Sequence, residues 1–486
     1  HRSHPHWQPG APVAGIVFYR ALLQAGTLAP IDALAKALAA RGLNPMPIFV
    51  NSLKEAVAAD LIRTLYAETA PDITLNCTGF AISQPGAANF ATPFDGADHP
   101  VLQVMLSSES AAQWQASLRG LSPRDLAMQV ALPELDGRII TRAISWKSAA
   151  RYDEATQCTI VAPQPVADRV DFTCDLAANW VKLRRTKTCD RHVALILANY
   201  PNRDGRIGNG VGLDTPAGTV EVLRAMQDAG YGIADIPPDG EQLMNRLLAR
   251  PAGAFRLMGA DYAAFFSTLP AAMQAAVIAR WGAPKDDPLY GDGAFDLPLM
   301  SLGQVVIGIQ PARGYNVDPT TSYHDPDLVP PHGYFAFYAC LRRQFGAHVI
   351  VHMGKHGNLE WLPGKSLALS ADCYPEAIFG PLPHLYPFIV NDPGEGAQAK
   401  RRAQAVIIDH MTPPLTRAES YGPLRDLERL VGDGETRHAQ PPDTGGMNAI
   451  SAPSATRAFQ STKAPSTATR SFSRASGKPW RARNSS

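Results

Sequence analysis

Two histidines and a glutamate recur at four-residue spacing in His352-Met-Gly-Lys-His356-Gly-Asn-Leu-Glu360-Trp-Leu-Pro-Gly-Lys365. Imidazole and carboxylate together can hold a borderline divalent metal such as cobalt, nickel or zinc, and either group can take up a proton. The run His348-Val-Ile-Val-His352 ahead of them predicts a short buried strand. Gly354, Gly357, Pro363 and Gly364 then break any regular helix. The three side chains are therefore expected on a turn at the carboxyl end of a strand, where open α/β sheets place their ligands. Spacing alone is equally compatible with polar residues that merely cap a turn.

The elements that would position this turn are legible as alternating strands and helices. Gly15-Ile-Val-Phe-Tyr19 predicts a strand, and Pro30 opens a helix with Ile31, Leu34 and Leu38 on one face, closed by Gly42. Pro45–Val50 returns as a strand. A helix with Val57, Leu61 and Leu65 on one face follows, then a strand over Asp72–Asn76. Further on, His192–Leu197 predicts a strand and Thr215-Pro216 a helix start, with Val220, Leu223 and Met226 facing the core and Gly230 at the end. Val305–Ile309 and the His348–His352 strand bracket a long loop rich in Pro, Asp, Tyr and His. The fold class expected is multi-domain α/β, with parallel sheets, covering helices and a disordered C-terminal tail. The boundaries drawn are an α/β domain over 1–140, a charged connecting segment over 141–190, a second α/β domain over 191–300, a site-bearing region over 301–431 and a tail over 432–486.

Composition narrows the classes. Net charge is +1 with 18% charged residues, so neither nucleic acid nor a membrane surface is expected as a partner. No apolar stretch is long enough to span a bilayer. The six cysteines are scattered without a C-x-x-C pair, which suits reduced thiols in a cytoplasmic protein. The chain starts at His1 without a signal-peptide pattern, the expectation being a fragment or a processed product. From residue 442 onward there is no Leu or Val. Such a stretch cannot bury enough apolar surface to offset its chain entropy, and a frameshifted or foreign end is one reading of it.

Three further motifs invite a ligand. Pro363-Gly364-Lys365-Ser366 resembles the end of a P-loop, but position 359 is Leu where that pattern needs Gly, so a turn is expected. Gly205-Arg-Ile-Gly-Asn-Gly-Val-Gly212 lies between a strand and a helix and could cradle an anion, though a plain flexible loop is the simpler expectation. Asn391-Asp-Pro-Gly-Glu395 leads into Lys400-Arg-Arg402, a helix start whose cations are either solvated or set to meet carboxylates. No ATPase engine is visible.

Taken together, these residues resemble the large subunits of the cobaltochelatase and magnesium-chelatase H family. The resemblance rests on His352–Lys365, on Ile307-Gly-Ile-Gln310-Pro-Ala-Arg313-Gly-Tyr315, on Tyr323–Tyr334 with His332, and on Asn391–Glu395. It runs from about residue 12 to 431, beyond which the tail departs from the family. Family members are much longer, so the chain resembles an internal portion. The resemblance implies ATP-dependent insertion of Co²⁺, the substrate metal, into hydrogenobyrinic acid a,c-diamide during cobalamin biosynthesis. ATP and Mg²⁺ would then sit on an AAA-type ATPase subunit and its companion subunit. It implies that His352, His356 and Glu360 are catalytic and metal-binding. Arg313, Tyr315, Tyr323, His332, Trp361, Lys365, Asn391 and Glu395 would contact the macrocycle, with Tyr334, Lys400 and Arg401 as further walls or carboxylate partners. Met353, Lys355, Asn358 and Trp361 look like the cobalt type rather than the magnesium type. The alternatives are a magnesium- or nickel-chelatase large subunit, a non-catalytic tetrapyrrole-binding protein, a zinc hydrolase built on the two histidines and the glutamate, and an inactive truncated product.

Overall fold

Runs of Val, Ile and Leu bounded by Gly, Pro and polar turns form the strands of two large sheets, and both faces of each are covered. The computed structural model describes residues 7–83, 92–199, 213–249, 255–315, 325–354, 357–389 and 393–410. The first sheet holds β1 (Val13–Tyr19), β2 (Asn44–Val50), β3 (Ile73–Asn76), β4 (Val101–Leu106), β5 (Ile139–Asp153) and β6 (Cys158–Pro165). Their order is β2-β1-β3-β4-β5-β6, all parallel except β6, which runs antiparallel to β5. β7 (Val193–Leu197) starts the second sheet. The short strands β8 (Arg256–Met258), β9 (Tyr290–Gly291) and β10 (Ala294–Asp296) pair among themselves. β11 (Leu299–Leu302), β12 (Val305–Ile309), β13 (Val349–Met353), β14 (His384–Ile389) and β15 (Ala405–His410) complete the second sheet in the order β11-β12-β7-β13-β14-β15, with β11 antiparallel.

The two sheets share one plan. In each, the five parallel strands run second-first-third-fourth-fifth in chain order, with one antiparallel strand added at an edge. This is a doubly wound arrangement whose strand order reverses between the first and third strands.

Three expectations need correction. Residues 141–190 are not a connector: they complete the first sheet as β5 and β6, and the helix Ala167–Arg185 buries Val170, Cys174, Leu176, Ala177 and Val181 against it. Arg142 and Arg169 of this stretch are buried, while most of its other charged residues lie on that helix's outer side and in the β5–β6 hairpin. Likewise β7 shares a sheet with β12 and β13, so no boundary falls at 300. The helix Ala56–Thr69 also faces differently from the Val57/Leu61/Leu65 stripe. It buries Ala58, Ala59, Ile62 and Tyr66, while Val57 is 82% exposed. Tyr66 decides the rotation, because its hydroxyl bonds Thr74 Oγ1 in β3 at 2.7 Å.

In the second sheet, side-chain alternation separates two cores. Leu195, Leu197, Val305, Ile307, Val349 and Val351 face a layer with Val220, Leu223 and Leu243. Ala194, Ile196, Val306 and Ile350 face an aromatic layer of Phe265, Phe295, Tyr334, Phe337 and Tyr338. With a period of two, His352 falls on the aromatic side with Ile350.

The segment after the candidate loop is docked onto the first sheet. Trp114 Nε1 donates to the Ala368 carbonyl at 2.8 Å. Gly120, at φ +92°, passes so close to the Leu367 carbonyl that a Cβ would stand 1.8 Å from its oxygen. Only glycine fits there, both for its backbone angle and for its lack of a side chain.

Candidate functional site

The His352–Lys365 segment leaves β13 where the second sheet's strand order reverses. β7 and β13 run side by side with Ile196 opposite His352, and β12 flanks β7 on the other side. Beyond the strand ends, Gln310 N–H donates to Leu197 O and Ala198 N–H to Met353 O. Glu360 and Trp361 lie on the single 3₁₀ turn Leu359–Trp361.

This turn has no regular ladder to hold it, so buried side chains grip its backbone. Arg402, at the end of the helix Pro393–Arg402, donates to the carbonyls of Glu360, Leu362 and Lys365 at 2.5, 2.7 and 3.0 Å. Tyr386 in β14 accepts from the Gly357 N–H at 2.5 Å and donates to Glu360 Oε1 at 3.3 Å. Asn358 is bonded on three sides. Its N–H donates to Gln310 Oε1 at 3.0 Å, its Nδ2 to the Pro311 carbonyl at 3.0 Å, and its Oδ1 accepts from the Tyr334 hydroxyl at 2.6 Å. Glu360 is 2% exposed. A Cβ at Gly357 would stand 2.7 Å from Tyr386 Oη and 2.9 Å from Glu360 Oε2. The backbone at 357 thus packs directly against the carboxylate and the Tyr386 hydroxyl, a fit that only glycine allows.

His352 has a different task from the one expected. Its Nε2 lies 3.0 Å from Tyr338 Oη, and its Nδ1 lies 3.0 Å from His384 Nε2. His384 Nδ1 lies 2.9 Å from the Ala403 carbonyl. Burial, and then the neighbouring His384, hold the His352 pKa well below the usual histidine range; burial lowers that of His384 to about 4. Both ring nitrogens of His352 are engaged and its ring is walled by Phe379, Tyr338 and Tyr386. In this arrangement it offers no lone pair to a metal. Among the described residues no three His, Cys, Asp or Glu side chains converge as a metal-holding group. His356, Tyr323, Asn391 and the side chain of Glu395 lie outside the described residues, as does the Gly205–Gly212 loop.

The remaining expected residues divide. Trp361, 39% exposed, presents its indole at the loop surface beside the buried glutamate. Arg313 is buried just past β12 and donates to the Asp325 carbonyl at 2.8 Å. Tyr315 is half-buried against Trp281, its hydroxyl 3.3 Å from Asp287 Oδ1. His332 is a core residue: its ring nitrogens meet Tyr262 Oη at 2.6 Å and the Gly282 carbonyl at 3.1 Å. Tyr334 is fully buried on Asn358 rather than forming a wall. Arg401 pairs with Glu134 at 2.8 Å and Lys400 lies 3.9 Å from the same carboxylate.

Lys365 is also reassigned. Its ammonium donates to the Trp114, Gln115 and Ser117 carbonyls at 2.7, 3.1 and 2.8 Å, capping the carboxyl end of the helix Ala111–Ala116. All three ammonium protons are taken up there, and a cation suits the helix's negative end. Lys365→Met is expected to lower stability by about 1.5–3 kcal/mol and to leave macrocycle affinity unchanged. Denaturant unfolding and a ligand titration on the same sample would check both; lost affinity with stability intact would restore Lys365 to the binding site.

A cavity of about 530 Å³ opens beside the end of the loop, walled by Trp114, Leu118, Val166, Gly364, Cys373 and the stem of Lys365, whose ammonium is turned to the helix carbonyls. A larger one, about 890 Å³, lies at the amino ends of β4 and β5 against the end of the helix Ala167–Arg185 and includes no residue of the loop. Neither Glu360 nor Trp361 lines either cavity.

Sequence reasoning missed His384, Tyr338 and Tyr386. A signal existed: His384 and Tyr386 are two apart in a strand, which puts both on one face. Pro387 obscured that strand. β14 tolerates the proline beyond Leu385, the last of its residues to pair with β13.

Comparison with known proteins identifies the family. The family model described as CobN/Magnesium Chelatase matches residues 1–460, and so reaches past residue 431 into the segment read from sequence as a departure from the family. The chain is 59% identical over 430 residues to the aerobic cobaltochelatase subunit CobN of Sinorhizobium sp, covering 87% of this chain and 34% of that protein. It is 30% identical over 465 residues to the H-type large subunit of the magnesium chelatase of Rhodobacter capsulatus, covering 90% of this chain and 38% of that protein. The solved catalytic subunit of cobaltochelatase from Mycobacterium tuberculosis superposes with a TM-score of 0.74 at 37% identity, over 89% of this chain and 38% of that one. The chain thus spans about a third of the length of these relatives. It belongs to the CobN/magnesium-chelatase family.

Proposed function

We propose that this chain is the part of a cobaltochelatase large subunit that carries insertion chemistry, placing Co²⁺ into hydrogenobyrinic acid a,c-diamide in cobalamin biosynthesis. The observation that carries the choice of metal is the identity of 59% to a cobaltochelatase subunit against 30% to a magnesium-chelatase subunit. ATP and Mg²⁺ act on partners, an AAA-type ATPase subunit and its companion. The free cysteines fit a reducing, cytoplasmic compartment. Among the described residues no helix is long and apolar enough to cross a membrane.

Insertion has three barriers. Co²⁺ must shed water, two pyrrole N–H protons must leave, and the macrocycle must distort until its nitrogens reach the metal. His356 and Glu360 are the groups assigned to hold the entering ion and replace its waters. Glu360 is the general base: its carboxylate, held on the turn by the Tyr386 hydroxyl, can accept a pyrrole proton from a ring brought against the turn. Trp361 supplies the apolar face for the ring. Arg313 and Tyr315 stand on the neighbouring β12 loop, where the rim carboxylates would lie. His352 enters no step as a ligand.

The test is reconstitution of the full-length polypeptide with both partner subunits and ATP, following macrocycle absorbance with Co²⁺ and, separately, with Mg²⁺ and protoporphyrin. Cobalt insertion alone is the expected result. Magnesium insertion would transfer the chain to the other branch of the family. Tight binding without insertion of either metal would make it a carrier.

A further inference from the structure

The hydrogen bonds around His352 form one chain whose direction is fixed at both ends. At one end, Ala403 contributes a carbonyl, which only accepts, so His384 carries its proton on Nδ1. His384 is buried and neutral, so its Nε2 is an acceptor, and His352 must donate to it from Nδ1. That leaves His352 Nε2 as an acceptor, and the Tyr338 hydroxyl must donate to it. At the other end, Asn358 contributes a backbone N–H, which only donates. Gln310 accepts it on Oε1 and so turns its amide nitrogen toward Tyr338 Oη, at 3.1 Å. Tyr338 thus accepts from Gln310 and has its proton free for His352. The polarity fixed from the Ala403 end and that fixed from the Asn358 end agree at the Tyr338 hydroxyl.

We infer that His384 is a positioning residue for the candidate site, acting through His352, Tyr338 and Gln310 on the Asn358 N–H and hence on the turn that bears Glu360. His384 touches neither the expected metal nor the macrocycle. It sets the tautomer of His352, which sets the direction of the Tyr338 hydroxyl, which leaves Gln310 one orientation in which to hold Asn358. The relay ties β14, β13, the helix His332–Ala339 and the segment after β12 to one loop. A directed chain of this kind has one satisfied arrangement, whereas any reversal places two donors or two acceptors face to face in the interior. Its catalytic consequence rests on the chelatase reading; its tautomers do not.

The experiment uses the 486-residue chain with ¹⁵N-labelled histidine, together with His384→Gln and His384→Leu. Glutamine can keep an acceptor for His352; leucine removes it. In the unsubstituted chain at neutral pH, His352 is expected to carry its proton on Nδ1 and to show an unprotonated Nε2. In His384→Leu, hydrogen exchange at the Asn358 amide is expected to accelerate on the order of tenfold, and in His384→Gln by much less. Tyr338→Phe, which interrupts the relay two links away, should also accelerate it. In the full-length enzyme with its partners, His384→Leu should lower kcat with little change in KM for the macrocycle, and His384→Gln should restore most of it. A His352 proton found on Nε2, or an unchanged Asn358 exchange rate in folded His384→Leu and Tyr338→Phe, overturns the inference. If His384→Leu does not fold, the tautomer of the unsubstituted chain and Tyr338→Phe decide. Absence of insertion even without substitution counts against the chelatase reading, because the tautomers and exchange rates are measured without substrate.

Discussion

Glu360→Gln in the full-length polypeptide is expected to slow cobalt insertion by about 10²–10⁴-fold, the usual contribution of a positioned general base. Glutamine keeps the volume of the side chain and an oxygen for the Tyr386 hydroxyl, so the turn held by Arg402 should keep its shape. What disappears is a group able to take a pyrrole proton and to offer a negative ligand. Macrocycle affinity should change by less than about threefold, since a group acting in the transition state alone lowers kcat without raising KM. Stopped-flow absorbance for insertion and an equilibrium titration for binding separate the two. A collapse of binding with residual insertion would make Glu360 a structural anchor of the turn.

The second large effect falls on stability. Glu376 lies between two buried guanidiniums, with Oε2 2.6 Å from Arg142 Nε and Oε1 2.6 Å from Arg169 Nη2. Arg142 comes from β5 and Arg169 from the helix that covers the first sheet; Glu376 comes from the segment behind the candidate loop. Glu376→Ala leaves Arg142 buried without a carboxylate, and Arg169 with only the half-exposed Asp168, 3.0 Å away. Breaking a buried ion pair from one side costs about 3–5 kcal/mol, most of it the uncompensated charge. Asp171→Ala provides the contrast. Its carboxylate meets Arg41 at 3.0 Å on the exposed surface, where such a pair contributes about 0–1 kcal/mol. Parallel denaturant curves should separate the two variants clearly. Equal, small shifts would mean that the segment docks through packing and not through this triad.

Much of the scaffold was legible because burial on both faces leaves continuous apolar runs. Val193–Leu197, Val305–Ile309 and Val349–Met353 read as strands for that reason, and all three are buried along their length. The turn after β13 was legible from its glycines and Pro363. What the sequence hid was partnership. Nothing local in Lys365 announces three carbonyls some 250 positions earlier. His332 and His352 looked like ligands by type, yet each has both ring nitrogens committed to partners supplied by the tertiary fold. Residues 141–190 looked like a connector because charged side chains on the outer side of a covering helix resemble a linker in composition. The order of strands in a sheet is non-local, so the shared plan of the two sheets was invisible in one dimension.

The measurement that bears most directly on the central claim is cobalt insertion by the full-length enzyme carrying His356→Ala, assayed beside the unsubstituted enzyme with partners, ATP and hydrogenobyrinic acid a,c-diamide. With His352 committed to Tyr338 and His384, His356 is the one imidazole of the His352–Lys365 segment left to meet the metal. Insertion is expected to be lost while folding and macrocycle binding persist. Insertion near the unsubstituted rate would contradict that expectation and move the metal's entry point away from this loop.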